Sequence, residues 1–216
     1  MKLTFKTVAF LLIFFLPSIL LGQTFTNCGG NFNTFLKKAE RYATEVGVSS
    51  EVLKKTIRHT KFNPTIIELD RKQRSFKLSF LDFSKRAIND YRLVNGKKKF
   101  TKYQAVFDKA FTLFGVPKEV ITAFWAMETD FGAVQGDFNT LNSLASLAFD
   151  CRRPELFQPE FIAAMQLIQR GDIDYSTTGA WAGEIGQVQM LPKDILEFGI
   201  DGNKDGQISL KETPED

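Results

Sequence analysis

Apolar residues recur along this chain at spacings of three and four, the period of a helix with one buried face. Phe32, Phe35, Leu36, Ala39, Tyr42, Ala43 and Val46 form the first such series, and Gly47 stops it. Ser49 or Ser50 is placed to cap a short helix over "EVLKKTIRHT". The next segment, "KFNPTIIELDRKQ", reads as extended, because Pro64 breaks helices and Thr65, Ile66 and Ile67 are β-branched. Helical spacing resumes near Ser79 and runs to about Leu93. A turn is expected at Asn95-Gly96, and "KFTKYQAVFDKAFTLFG" then forms a helix that ends at Gly115. Pro117 opens the following helix, where its missing N–H costs little, and Gly132 closes it. Asn139 or Thr140 begins "LNSLASLAF", Pro159 begins "EFIAAMQLIQRG", and Pro192 begins "KDILEFG". No alternating pattern predicts a strand, and no linker or internal repeat interrupts the series. The expected class is mainly α.

The N-terminus reads differently. Lys2 and Lys6 precede an apolar run, "VAFLLIFFLPSILLG", which is broken by Pro17 and ends at Gly22. This pattern predicts a cleaved secretory signal over residues 1–22 and a single domain over 23–216. The alternative is an uncleaved N-terminal anchor. No small-residue lipobox precedes Cys28, which argues against a lipoprotein. Loss of residues 1–22 removes two lysines and leaves 26 basic against 25 acidic residues. That balance does not call for a nucleic-acid partner, and "KKKFTK" (Lys97 to Lys102) reads as a solvated helix start. Cys28 and Cys151 are the only cysteines. An exported, oxidising compartment allows them to pair, and two free buried thiols are the alternative. His59 is the only histidine, so His-based triads and His-rich zinc sites are poor candidates.

The candidate chemistry lies in "VITAFWAMETDFG". Ile121, Phe124, Trp125 and Phe131 share a helix face with Glu128 at spacings of three, four and seven. A carboxylate among such neighbours is expected to lose hydration, which favours its protonated form. A carboxyl kept protonated can give its proton to a leaving group, as glycoside cleavage requires. The alternative is a Glu near a helix C-terminus that reaches solvent or an arginine. Asp130 stands roughly 200° further around the helix and cannot face the same substrate. Glycosidases normally need two carboxyls. A lone Glu128 therefore implies another nucleophile or help from the substrate.

Four segments, in order, carry a resemblance: "IIELDRKQRSF", "FWAMETDFG", "SLASLAFDCRR" and "GAWAGEIGQVQMLP". From about Phe32 onward the chain resembles the MltB-type lytic murein transglycosylases (membrane-bound lytic transglycosylase B family). The resemblance implies a lysozyme-like helical domain that cleaves the β-1,4 bond between N-acetylmuramic acid and N-acetylglucosamine in peptidoglycan. It implies Glu128 as acid and then base, with the muramic C6 hydroxyl closing a 1,6-anhydro ring. It implies Gln189 as a groove residue, with a loop-to-helix cap as the structural alternative. It implies Arg152 and Arg153 near the stem peptide, where guanidinium suits carboxylates; ion pairs with Glu155 or Glu160 are their alternative. It implies a monomer in the periplasm, possible membrane association, and glycan strands and cell-wall enzymes as partners.

The chain departs from the family at Ala180, where Ser is common, at Arg74, where Pro is usual, and at Glu184, which replaces a small residue. Glu184 is either a second functional acid or a support for its loop. Family domains continue with another helix and with Tyr and Asn residues, so the resemblance predicts a domain incomplete at its C-terminus.

Separately, "DGNKDGQISLKE" fits the twelve-residue EF-hand template over 201–212. Asp201, Asn203, Asp205, the Gln207 carbonyl and Glu212 would serve a structural Ca²⁺, with Ser209 at the ninth position. A polar turn is the alternative. No cofactor is expected for catalysis. The rival functions are a muramidase, a non-catalytic peptidoglycan-binding protein and a calcium-dependent module.

Overall fold

A computed structural model describes residues 28–72 and 78–216. The expected signal segment lies outside the described residues, as does the end of "ELDRKQRSF". The described residues form ten helices and one small sheet. None of these helices is long and apolar enough to cross a membrane.

Helix α1 (Phe32–Glu45) starts where the Asn31 side chain accepts the Thr34 N–H at 3.0 Å. Ser49 caps α2 (Ser50–His59) in the same way through the Val52 N–H. The segment read as extended is instead α3 (Pro64–Lys72). Pro64 sits at its first position, where proline is tolerated, and the Asn63 side-chain oxygen accepts the Thr65 N–H at 3.1 Å. Ile66 and Ile67 are buried in the main core, so tertiary packing outweighs their strand preference. The backbone before α3 is tied to α8 (Thr140–Phe149), with Lys61 N–H donating to Asn142 Oδ1 and Asn63 N–H to Ser146 Oγ.

The stretch expected as one helix to Leu93 breaks into α4 (Phe80–Ala87) and α5 (Asp90–Lys102), because Asn89 caps the second through the Arg92 N–H. The expected turn at Asn95-Gly96 is absent. Gly96 lies inside α5 against Thr122 and Phe131, where the lack of a side chain permits close approach. Next, α6 (Gln104–Phe114) ends at left-handed Gly115, and Pro117 precedes α7 (Lys118–Thr129). The long α9 (Pro154–Arg170) begins five residues before the expected start, so Pro159 lies within it. Its buried neighbours Phe157 and Phe161 hold the turn that the missing N–H weakens. The last helix is α10 (Pro192–Phe198). Strands β1 (Phe138–Asn139) and β2 (Thr178–Gly179) pair antiparallel, a short sheet that the sequence pattern did not predict.

Helix α8 is the centre of the core. Leu141, Leu144, Ala145, Leu147 and Ala148 are all buried in one cluster with residues of α1, α2, α3 and α9, and α8 packs directly on α3 and α9. A smaller cluster of Trp125, Ala126 and Phe131 seats α7 against Tyr103. A third cluster, of Leu167, Ile185 and Ile195, joins α9 and α10 to the loop over residues 180–191.

Cys28 and Cys151 form a disulfide with Cα atoms 5.0 Å apart. It ties the chain ahead of α1 to the α8–α9 turn, beside the Gly29 N–H bond to the Phe149 carbonyl. The bridge spans 123 positions, so it restricts the unfolded chain strongly. Replacing both cysteines by serine is expected to lower unfolding free energy by about 4 kcal/mol. Chemical denaturation of both forms at one pH measures the difference.

Candidate active site

Glu128 occupies the last turn of α7. That helix buries Thr122, Trp125, Ala126 and Thr129. Val120, Phe124 and Glu128, four apart, lie on the other side, with Val120 44% and Phe124 56% exposed. Glu128 is itself exposed. The expected apolar enclosure is therefore absent. Trp125 and Phe131, counted as its neighbours, turn inward instead, where Lys99 Nζ sits 4.5 Å from the Trp125 ring. The helix stops at Asp130, not at Gly132. Asp130 (φ 49°) and Phe131 (φ 64°) are both left-handed, conformations that cost about 1–3 kcal/mol for such residues and gather at functional sites. The Asp130 carboxylate accepts Arg92 Nε at 2.7 Å and so faces α5, away from Glu128.

A loop over residues 179–191 lies beside this helix end. Its course depends on close backbone approach. A Cβ on Gly183 or Gly186 would meet Leu144 or Leu210, and one on Gly179 would overlap the Glu184 carbonyl. The loop closes through the Ala180 N–H to the Glu184 carbonyl at 2.9 Å and a bridge between Ile185 and Met190. Gln187 then fastens it to α7. Its Oε1 accepts Trp125 Nε1 at 2.9 Å, and its carbonyl accepts Thr129 Oγ1 at 2.5 Å. Its Nε2 donates to the Lys211 carbonyl at 3.2 Å. Lys211 Nζ in turn donates to the Thr178 carbonyl at 2.7 Å, beside the small sheet. Gln189 follows in left-handed backbone (φ 56°), its Nε2 donating to the carbonyls of Gly186 at 2.9 Å and Gln135 at 3.3 Å. The motif pattern singles out Gln189 and passes over Gln187. The segment "GQVQ" holds both, but only the fold shows that Gln187 is the one bound to α7.

Arg152 and Arg153 lie between α8 and α9. Neither pairs with Glu155 or Glu160. Both bind the carboxylate of Asp70, which is 1% exposed, Arg152 through Nη1 at 2.6 Å and Arg153 through Nη2. The Arg153 guanidinium also stacks over the Phe157 ring at 4.9 Å. Asp70 belongs to "IIELDRKQRSF", but read as extended chain that segment offers it no evident partner. Glu160 is occupied elsewhere, accepting the Lys193 N–H at 2.8 Å.

Glu184 is the one ionisable residue between Tyr175 and Lys193. It is half-buried, and burial pushes its carboxyl above the usual carboxylate range. Backbone N–H groups of Glu184 and Ala182 oppose that rise, the charge of Glu128 adds to it, and Arg153 opposes it. One of its oxygens, Oε2, is sealed from solvent without a hydrogen-bond partner.

In the EF-hand-like loop the Asp and Asn side-chain oxygens accept N–H groups of the loop itself. Asp201 accepts from Asp205 at 3.1 Å and Gly206 at 2.9 Å, Asn203 from Asp205, and Asp205 from Gln207. These are hard oxygen donors, the chemistry a calcium ion takes. Glu212 is exposed, and no group of three His, Cys, Asp or Glu side chains is gathered for a metal among the described residues. The Asp216 carboxylate closes the loop by accepting the N–H groups of Gly202 at 2.9 Å and Ser209 at 2.8 Å.

Comparison with known proteins places this geometry among relatives. The transglycosylase SLT domain family matches residues 31–216. The chain is similar to membrane-bound lytic murein transglycosylase B of Escherichia coli (strain K12), with 30% identity over 135 residues, covering 61% of this chain and 37% of that protein. It is similar in structure to SltB3 of Pseudomonas aeruginosa in complex with NAG-anhNAM-pentapeptide, with a TM-score of 0.81 and 26% identity. That match covers 87% of this chain and 50% of the other. Its fold is also that of Escherichia coli SLT35 in complex with calcium, with a TM-score of 0.74 and 24% identity over 86% of this chain and 61% of that one. The chain thus spans less than two thirds of the length of these relatives. The structural matches agree with the mainly helical, lysozyme-like class expected from the sequence.

The close approach at Gly179 is open to test. Gly179→Ala is expected to push the Glu184 carbonyl away and to cost about 1–3 kcal/mol. A lower denaturation midpoint, with the disulfide intact, would register this.

Proposed function

We propose, on the premise that the chain belongs to the transglycosylase SLT domain family, that it cleaves the MurNAc-β-1,4-GlcNAc bond of peptidoglycan without using water. The observation that carries this reading is the placement of Glu128. It stands on the open side of the α7 terminus, while Asp130 is drawn off by Arg92. The Glu128 carboxyl gives its proton to the glycosidic oxygen as the bond to C1 breaks. The resulting carboxylate takes the proton of the muramic C6 hydroxyl, whose oxygen forms the new bond to C1. The products are a 1,6-anhydromuramoyl end and a free GlcNAc 4-hydroxyl. The substrate supplies the nucleophile, so a second enzyme carboxylate is not needed to attack.

Gln189 supports sugar binding. Its Nε2 is committed to two backbone carbonyls, which turns its side-chain carbonyl into an acceptor for a hydroxyl or acetamide N–H. Arg152 and Arg153 share one carboxylate between two guanidinium groups, and both are partly exposed. Their excess positive charge suits the carboxylates of a stem peptide. The disulfide supports an oxidising compartment, the periplasm, reached through the signal over residues 1–22. The unit acts as a monomer on glycan strands, and cell-wall enzymes are its natural partners.

Asp201, Asn203, Asp205, the Gln207 carbonyl and Glu212 would hold a Ca²⁺ that braces the chain next to Lys211. Calcium there supplies rigidity and no chemistry. Adding calcium at about 100 times its Kd is expected to stabilise the fold by about 2.7 kcal/mol. Thermal melts with and without chelator check this, and Asp201→Asn is expected to remove the difference.

The reaction is tested by digesting sacculi and separating the soluble muropeptides. The expected products carry 1,6-anhydromuramic ends, and Glu128→Gln is expected to lower their release about 100-fold or more. Reducing ends in their place would identify a muramidase. Binding to sacculi without any release would identify a non-catalytic binding protein.

A further inference from the structure

Two buried polar atoms of opposite character lie unpartnered at the edge of the site. One is Oε2 of Glu184 and the other is Nε of Arg153. Such atoms are rare in native folds and call for an explanation. The residues are within electrostatic reach of one another, and Glu184 is also within reach of Glu128. Glu184 thus feels a like charge on α7 and an opposite charge just before α9.

The charges around this point do not balance. Asp70 serves both Arg152 and Arg153, and Arg71 is paired with Asp150 at 2.6 Å. Three guanidinium groups therefore face two carboxylates, and of the three it is Arg153 whose charge reaches Glu184. A neutral Glu184 carboxyl is not repelled by Glu128 and can keep Oε2 buried. An ionised one is repelled by Glu128 and attracted by Arg153, whose Nε has no partner. The two protonation states favour two different seats for the same side chain.

The seat matters because the loop is stiff. The Glu184 carbonyl accepts the Ala180 N–H, and Ile185 is bridged to Met190. Three residues further on, Gln187 is bound to Trp125 and Thr129, which precede and follow Glu128 on α7. A shift at Glu184 is thus transmitted to the Gln187 contact and to Gln189 beyond it.

We infer that Glu184 is a positioning residue for Glu128: a second carboxyl whose protonation sets how closely the loop over residues 179–191 sits against the end of α7. The inference rests on the reading of Glu128 as the acid and base. Protonated Glu184 holds the loop, with its two glutamines, in the seat seen here. Ionised Glu184 turns to Arg153 and loosens that seat. A carboxyl whose protonated form is favoured by the fold lends stability below its ordinary titration range, and that stability fades as pH rises through the displaced one.

The chain carries its own reporters. Its only tryptophans are Trp125, bonded to Gln187, and Trp181, within the loop. Intrinsic fluorescence of the full chain, titrated from about pH 4 to pH 9, is expected to show a transition with its midpoint above the ordinary glutamate range. Glu184→Gln is expected to abolish that transition. Glu128→Gln is expected to keep it and lower its midpoint, since the repelling charge is gone. A transition that survives Glu184→Gln, or none in the parent chain, overturns the inference. If Glu184→Gln does not fold, Glu184→Asp decides, because an unchanged midpoint in that variant also overturns it. The readout needs no turnover, so a chain that fails to release anhydromuropeptides still tests the role of Glu184. Where turnover is seen, Glu184→Gln is expected to carry release to higher pH than the parent chain.

Discussion

The site depends on one side chain, Gln187. Its amide oxygen holds the indole N–H of Trp125, its amide nitrogen reaches the Lys211 carbonyl, and its backbone carbonyl receives the Thr129 hydroxyl. Three parts of the chain, far apart in sequence, meet at this residue. Each bond alone contributes about 1 kcal/mol. Together they fix the position of the α7 terminus relative to the loop after β2. Trp125 and Thr129 lie on the buried side of α7, which leaves Glu128 on the open side.

That arrangement changes the physical account of Glu128, the carboxyl proposed as the acid. The helical spacing suggested a proton held by an apolar environment, in the manner of a buried general acid. In the fold the burial falls on Glu184 instead, one loop away, where burial does raise the carboxyl. The exposed acid is the one proposed to meet a substrate, and the half-buried one lies within electrostatic reach of it. The departure at Glu184 is thus linked to the charged cluster of Asp70, Arg152 and Arg153, which would otherwise read as a separate feature.

Several parts of the fold were legible in the sequence because the signals were local. Ser49 and Asn139 cap helices through side-chain bonds to residues three positions on, and Gly115 ends one by taking a left-handed backbone. The segment from Lys61 to Lys72 was not legible. Its β-branched residues favour extension, but burial of Ile66 and Ile67 against α8 selects a helix. Pro159 misled in the other direction, since a proline inside a buried helix looks like a helix start. Gln189 and the arginine pair were visible as motif residues, whereas Gln187, Thr129 and Asp70 act through partners that no local pattern names.

By itself, the sequence determined the helical class, the approximate succession of elements and the residue types available for chemistry. Those properties follow from periodicity, capping and composition, which act over a few residues. The tertiary structure decided which face of α7 is buried, which carboxyl is desolvated, and where each guanidinium finds its partner. Those outcomes depend on contacts such as Trp125 to Gln187 and Asp70 to Arg153, separated by 62 and 83 positions. Burial and charge pairing are properties of the packed whole, so the environment of Glu128 and Glu184 arises only when α3, α7, α9 and the loop after β2 come together.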